Sequence, residues 1–459
     1  MKSIFIHLKQ GLIALILLTS CENFLDLDTP NTQLVSAEVF EDKKTTDAAL
    51  LNIYASLRDS GLLTGNNSGM TYLLGLYTDE LDLYSINLLG QKEFYEHTLS
   101  TRNELVLTTW NTSYNQIYRL NALIEGVEKS TLLENQYKQT VLAEAYTMRG
   151  MLHMYLTQLF GEIPYITTTD YLQNKIVHKT PEKEIYERIE QDYLTAEELF
   201  LKGTKNTSKT RLNLTSLKTL KAKYYIQTKQ WEKAKQHAND VIQTAGVTLE
   251  QDLSKEFLKE SKSILWCFSP HLAAGNSLEA DVFMLNALPP AFVSLKHTFV
   301  NSFENGDQRK EIWIKKLNNN QGTWYQPYKY KAPNTSSTVN VENSVLLRLA
   351  ELYLIRAEAN FQLSNFREAE NDLNLIRKRA NLPMLSNLSQ HDLEQAILDE
   401  YKHELFTEYG HRFFDLKRWN RLNELQNSIP TWKPFMEKLP LPEKEILLNN
   451  NLKPQNDGY

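Results

Sequence analysis

The strongest constraint on this chain is the stretch from Leu346 to Ala380. Leu346, Ala350, Tyr353, Ala357 and Phe361 recur at spacings of four, three, four and four. That spacing keeps one stripe of a 3.6-residue helix apolar. After a break at Ser364-Asn365 a second stripe follows: Phe366, Ala369, Leu373, Ile376 and Ala380. Small residues such as Ala357 and Ala369 let two antiparallel helices approach closely, so the stretch predicts a helical hairpin.

The same unit recurs 135 positions earlier without a gap. AEANFQLSNFREAENDLNLI (357–376) lies over AKYYIQTKQWEKAKQHANDV (222–241). Ala357 matches Ala222, Gln362 matches Gln227, Phe366 matches Trp231, Ala369 matches Ala234 and Ile376 matches Val241. Small and aromatic positions around a tight turn resemble the tetratricopeptide repeat, a helix-turn-helix unit of ~34 residues, here dispersed rather than tandem. A third hairpin pairs 143–160 with 182–200 through a longer stretch containing Gly161 and Pro164. Hairpins are thus expected near 143–200, 215–243 and 345–380. Sixteen glycines and 14 prolines in 459 residues, with few alternating runs, favour a mostly α fold. Loop signals concentrate near 60–95 and 268–345, where insertions on a helical scaffold often build a binding face. No break in composition marks a linker, so residues 21–459 read as a single domain.

The N-terminus carries a different signal. Lys2 and Lys9 flank an apolar run, Gly11 to Leu18, that ends in ILLTSCENF. Basic flank, short apolar stretch and small residues describe a signal peptide over residues 1–20, too short for a span of ~20 apolar residues. Leu18-Thr19-Ser20-Cys21 resembles the bacterial lipobox, which makes Cys21 the expected lipidation site and membrane tether. Each buried methylene adds ~0.8 kcal/mol, and two or more chains anchor stably. Cys267 is then alone, which excludes an internal disulfide and a cysteine-built zinc site. The formal charge of −6 argues against nucleic-acid binding through a basic surface.

An ordered series of segments carries a family resemblance. CENFLDLDTP, TTDAALLNIYASL, YTDELD, WNTSYNQIYRLNALIEGVE, AEAYTMRGMLHMYLTQLFGEIPYI, VLLRLAELYLIRAEANFQL, ELFTEYGHRFFDLKRW and LKPQNDGY run in order along nearly the whole chain. With the lipobox, they make the chain resemble the SusD/RagB lipoproteins, surface nutrient-binding partners of outer-membrane transporters. The resemblance implies a SusD-like fold with four tetratricopeptide-like helical pairs and a loop-rich part. It further implies an outer-membrane protein facing the cell exterior, which captures oligosaccharides or sometimes peptides for a SusC-like TonB-dependent transporter docked on the helices. The chain departs from the family pattern at Tyr401, where arginine is usual, and at Asp457, where proline is usual. It is also shorter than many relatives, and since insertion loops build the ligand site, this bears on ligand identity.

No catalytic motif stands out. H-E-x-x-H, G-x-S-x-G, the phosphate loop and the EF-hand are absent, and the ten histidines form no close pair at metal-ligand spacing on a helix. No catalytic residue, cofactor or metal site is therefore expected. GNNSG (65–69) reads as a turn. In HRFFDLKRW (411–419), Arg412, Asp415 and Arg418 at helical spacing predict an ion-pair ladder, with Phe413, Phe414 and Trp419 packed inward. Asp79 and Glu80 are read the same way, as structural charges first and ligand or cation contacts second.

Sugars present apolar C–H faces ringed by hydroxyls, so they call for flat aromatic rings beside amides and charged rims. IWIKKLNNNQGTWYQPYKYK (312–331) supplies Trp313, Trp324 and Tyr325, and LDLYSINLLGQ (81–91) supplies Tyr84 and Asn87. These five are the candidate ligand contacts. The expected function is non-catalytic capture of oligosaccharide and its delivery to the transporter. Peptide cargo, a structural tetratricopeptide adaptor and a glycoside hydrolase are the alternatives.

Overall fold

The structure is a computed structural model that describes residues 39–244, 246–334 and 338–459. Cys21 and the signal segment lie outside the described residues. The chain is mostly helical, and eight helices stack in succession. These are α1 (Lys43–Asp59), α4 (Glu104–Lys129), α5 (Asn135–Phe160), α6 (Glu182–Lys202), α7 (Leu214–Gln227), α8 (Trp231–Thr244), α9 (Leu349–Gln362) and α10 (Phe366–Arg379). Each packs on the next in that order. The short helices α2 (Met70–Tyr77) and α3 (Leu89–Glu96) lie between α1 and α4 in sequence, and α11 (Gln390–Glu404) and α12 (His411–Arg418) follow α10.

The 135-residue offset extends to the geometry. Helices α7 and α9 begin and end 135 positions apart, as do α8 and α10. The turn has a left-handed residue at the matching place, Lys229 (φ 59°) and Ser364 (φ 62°). In both, the next amide reaches back across the turn, Gln230 to the Tyr225 carbonyl and Asn365 to that of Asn360, which satisfies the orphan carbonyls of a helix end. Ala222, Ala234, Ala357 and Ala369 are fully buried, so the close approach rests on the absence of side-chain bulk. The α5–α6 pair adds polar fixing: Arg149 donates to both Asp192 oxygens at 2.9 and 2.6 Å, and the Tyr165 hydroxyl donates to the same carboxylate.

The loop-rich part holds two small antiparallel sheets. β2 (Ile264–Phe268) pairs with β6 (Ser344–Arg348), which runs directly into α9. The other sheet has the order β1-β3-β5-β4, from Leu81–Leu83, Val293–Leu295, Gly322–Pro327 and Ile314–Asn319.

A buried ionic cluster ties this part to the helices. Glu404, at the end of α11, receives Arg348 from β6 at 2.6 Å, Arg309 from the short helix Gln308–Trp313 at 3.3 Å, and Arg379 from α10. Glu256 bridges Arg348 and Arg379, Glu400 bridges Arg309 and Arg377, and Glu408 joins Arg348 and Lys329. Asp307 completes the set against Arg309. Arg309, Arg348, Arg377, Arg379 and Lys329 thereby balance Asp307, Glu256, Glu400, Glu404 and Glu408. Burial opposes the charge on Glu404, but the Arg379, Arg348 and Arg309 guanidiniums outweigh it and hold its carboxyl well below the usual range.

Removing one member of such a set leaves uncompensated buried charge, which costs ~3–5 kcal/mol. Glu404→Ala is therefore expected to lower the stability measured by chemical denaturation by about that amount. Glu187→Ala, which breaks the exposed Lys183–Glu187 pair, is expected to change it by less than ~0.5 kcal/mol.

Candidate functional site

Antiparallel pairing decides which of the candidate residues can act together. Directly opposed residues share a face, and neighbours along a strand alternate. Leu81 opposes Leu295, and Leu295 opposes Tyr325. Leu81 and Leu295 are fully buried, Tyr325 is half-buried and Lys316 opposite it is exposed, so this row runs from the core out to the surface. Asp82 opposes Ser294 on the other face. Tyr84 continues the β1 ladder, its amide donating to the Phe292 carbonyl at 2.7 Å, and the Ser294 hydroxyl meets the Tyr84 hydroxyl at 3.3 Å on that face. Trp324, next to Tyr325, also belongs there.

Tyr84 and Trp324 therefore lie on one side of the sheet, four positions apart along the strands and two strands apart across it, or about 16 Å at the usual rise and strand spacing. Between them run Asp82, Ser294 and Lys296. Tyr95 from α3 leans in: its hydroxyl donates to Asp82 at 3.1 Å, and the Lys296 ammonium lies 5.5 Å from its ring centre. Burial and the Asp82 carboxylate push the Tyr95 hydroxyl up to about 12, so it stays a protonated donor. The Trp324 ring packs over Gly322, where an added Cβ would come within 3.3 Å of it, and the residue is 8% exposed. Tyr84 is half-buried, and Asn87 is exposed on the loop beyond β1.

The other two candidates fall elsewhere. Tyr325 points to the opposite face from Trp324, half-buried, with the His297 ring edge-on at 5.1 Å. Trp313 is fully buried and donates its indole N–H to the Leu253 carbonyl at 2.8 Å. Lys329, Arg348 and Arg379 lie 5.0–5.9 Å from its rings. Trp313 is thus a wall of the ionic cluster, with no face open to a ligand. Sequence reasoning passed over Asp82, Tyr95 and Lys296. The alternation within LDLY carries a signal for Asp82, because residues two apart on a strand share a face; nothing local signals Tyr95 or Lys296.

The charged motifs resolve in part differently from the expected ladder. Arg418 does pair with Asp415, at 2.8 Å, and with Glu358. Arg412 instead turns away and donates to both oxygens of Asp79, at 2.8 and 2.9 Å, while Asp415 is held by Arg418 and His411. Phe413 and Phe414 are buried as expected, whereas Trp419 is only half-buried. Asp79 and Arg412 thus pin the start of β1 to α12. Burial works against the charge on Asp79, but Arg412 and Lys402 hold its carboxyl below the usual range. Its neighbour Glu80 shifts the other way: burial, then the Asp79 charge, outweigh Arg412 and Lys329 and push it up to about 8. Among the described residues no group of histidine, cysteine, aspartate and glutamate could hold a metal ion, and no helix is long and apolar enough to cross a membrane.

Stacked helical pairs carrying small antiparallel sheets in a loop-rich part define the class of fold. Residues 294–459 match the SusD family, and residues 23–226 match the family described as starch-binding associating with outer membrane. The chain is 27% identical over 513 residues to the SusD-like protein P2 of Formosa agariphila, covering 98% of this chain and all of that one. It shares its fold with a SusD superfamily protein from Parabacteroides distasonis (TM-score 0.79, 20% identity, 93% of this chain and 100% of that one). It shares it also with a laminarin-binding SusD-like protein (TM-score 0.76, 21% identity, 92% and 100%). The chain belongs to the SusD/RagB family of outer-membrane nutrient-binding proteins. That family consists of non-catalytic, glycan-binding surface proteins that work with SusC transporters in polysaccharide utilisation, and membership implies pairing with a transporter of that kind.

Glu80 supplies a test of the site's support. A carboxyl that ionises near pH 4.5 unfolded and about 8 folded contributes stability below the lower value and loses it as pH rises through the higher one. Glu80→Gln is expected to raise the thermal midpoint relative to the native chain at pH 8.5 and to give no gain at pH 4.5, read by a melting series across pH.

Proposed function

We propose that the protein captures oligosaccharide on the sheet face bearing Tyr84 and Trp324 and passes it to a SusC-like TonB-dependent transporter, without breaking a bond. The supporting observation is the pairing register, which sets two aromatic rings on one face with Asp82, Ser294, Lys296 and Tyr95 between them. Rings spaced by about 16 Å suit a chain of sugars better than a single one, since separate C–H faces of the chain can stack while hydroxyls meet the polar groups between. Asn87, exposed beside Tyr84, extends the polar rim. A laminarin-binding relative of the same fold supports glycan as the ligand class. Cys21 is the proposed lipid anchor, holding the body at the outer surface.

Affinity electrophoresis against a panel of polysaccharides tests this reading. With a glycan that retards the native protein, Trp324→Ala and Tyr84→Ala are each expected to weaken binding by ~1–3 kcal/mol, the range for truncating a buried aromatic anchor. Trp313→Phe, whose ring faces the core, should leave affinity unchanged. Unaltered affinity in both sheet-face variants would remove the sheet face as the site. Cys21→Ala is expected to move the protein from the membrane fraction to the soluble one, read by fractionation.

A further inference from the structure

A cleft lined by none of the sheet's residues has no role in the reading above. It lies where α4 meets the 164–177 segment and the C-terminal stretch around Glu445–Leu452, and its volume is about 500 Å³, within the ~300–1,000 Å³ usual for small-ligand sites. None of its lining residues belongs to the sheet site.

Its chemistry comes from one stripe of α4. Trp110, Asn111, Tyr114, Asn115 and Tyr118 are spaced so that they line a single helix face. Trp110 and Tyr114 form the floor, their rings 4.9 Å apart, with the Tyr114 hydroxyl fixed to the Pro164 carbonyl at 2.8 Å. Tyr118 and Tyr171 form opposite lips, 48% and 73% exposed. Between the rings stand side-chain amides. Those of Asn174 and Asn449 are held in place by the Thr168 and Val177 carbonyls at 2.8 and 2.7 Å, whereas Asn115 is exposed. Exposed tyrosine faces on a rigid aromatic floor, alternating with amides that both donate and accept, meet the two needs of a pyranose: an apolar face to stack on and paired partners for vicinal hydroxyls. A cluster of apolar side chains alone would fit a protein partner. Amides interleaved at every turn of the stripe fit a hydroxyl-rich ligand.

We infer that this cleft is a second oligosaccharide-binding site, separate from the sheet face. It rests on the same reading of the protein as a glycan binder. Two sites on one anchored body let one long polysaccharide be gripped at two points, so that release from one leaves the chain held by the other and raises the overall affinity by effective concentration.

The test uses the full chain and the same polysaccharide panel with four proteins: native, sheet variant (Tyr84→Ala with Trp324→Ala), cleft variant (Asn115→Ala with Tyr118→Ala) and the combination. Both cleft positions are exposed, and matching melting curves check that the fold is kept. For a retained polysaccharide, the cleft variant is expected to bind roughly tenfold more weakly, the sheet variant to keep partial binding, and the combination to lose it. A short oligosaccharide titrated calorimetrically into the sheet variant should still give heat, and in the combination none. Loss in the sheet variant alone, with the cleft variant as native, overturns the second site and leaves the glycan reading standing. No retention of the native protein by any glycan overturns both. Native glycan affinity in the cleft variant together with lost co-purification of the transporter would make the cleft a docking surface and overturn the proposal.

Discussion

The arrangement of this protein turns on Glu404. One carboxylate, without exposure to solvent, receives guanidinium groups from β6, from α10 and from the short helix ahead of β4. These elements come from three stretches of chain, and the carboxylate is where they meet. Lys329 strengthens the junction by donating to the Glu404 and Phe406 carbonyls at 2.8 and 2.7 Å, while Arg348 donates to the Glu404 carbonyl as well. The open end of α11 is thereby capped by cations, the sign its dipole favours. A buried ion set of this kind adds little stability over an apolar core of equal volume. What it contributes is geometry, because each guanidinium is shared among carboxylates from different elements, and a slip of β6 or α10 would leave charges unpaired.

The turn after α11 shows what that geometry costs. Thr407, Tyr409 and Gly410 all adopt positive φ, at 51°, 42° and 74°, and for a β-branched threonine this is a strained conformation. The strain persists because the surroundings over-determine it. Glu408 is drawn to Arg348 and Lys329, the Tyr409 amide donates to Thr71 at 3.0 Å, and the Thr407 amide reaches Glu80 at 3.4 Å. Gly410 must be glycine on two counts: its positive φ, and a Cβ that would lie 2.3 Å from Leu74. The same turn that feeds the ionic cluster thus holds α2 and the residue before β1, the strand on which Tyr84 follows.

This explains what could be read from the chain and what could not. The α7–α8 and α9–α10 hairpins were legible down to the turn because their cause is local: apolar and small residues at helical spacing, with a left-handed residue after each first helix. Glu400, Glu404 and Glu408 recur at intervals of four, but their arginine and lysine partners are 23 to 95 positions away, and sequence spacing says nothing about such pairs. The same limit misassigned Arg412, whose partner Asp79 is 333 positions distant while Asp415 sat in reach on paper. Of the candidate contacts, Trp324 and Tyr325 could never share a face once the segment is a strand. Treating 312–331 as a loop hid that alternation, and it also made Trp313 a candidate contact, although the ring is fully buried against the ionic cluster.

The sheet and the helices therefore stand in a definite mechanical relation. A transporter that engages the helical stack touches elements joined rigidly, through α10 and α11, to the ionic cluster. The cluster passes through β6, Lys329 and the strained turn to the four-stranded sheet, and Asp79–Arg412 closes the circuit from α12 to β1. Aromatic contacts gain affinity only when their rings are held where the sugar needs them, since ordering a loose ring on binding costs about 0.5–1.5 kcal/mol per side chain. Trp324 seated over Gly322, and Tyr95 tied to Asp82 beneath Lys296, are ordered before any ligand arrives. The buried charges are the means by which a body of repeated helices keeps a short and otherwise marginal sheet fixed.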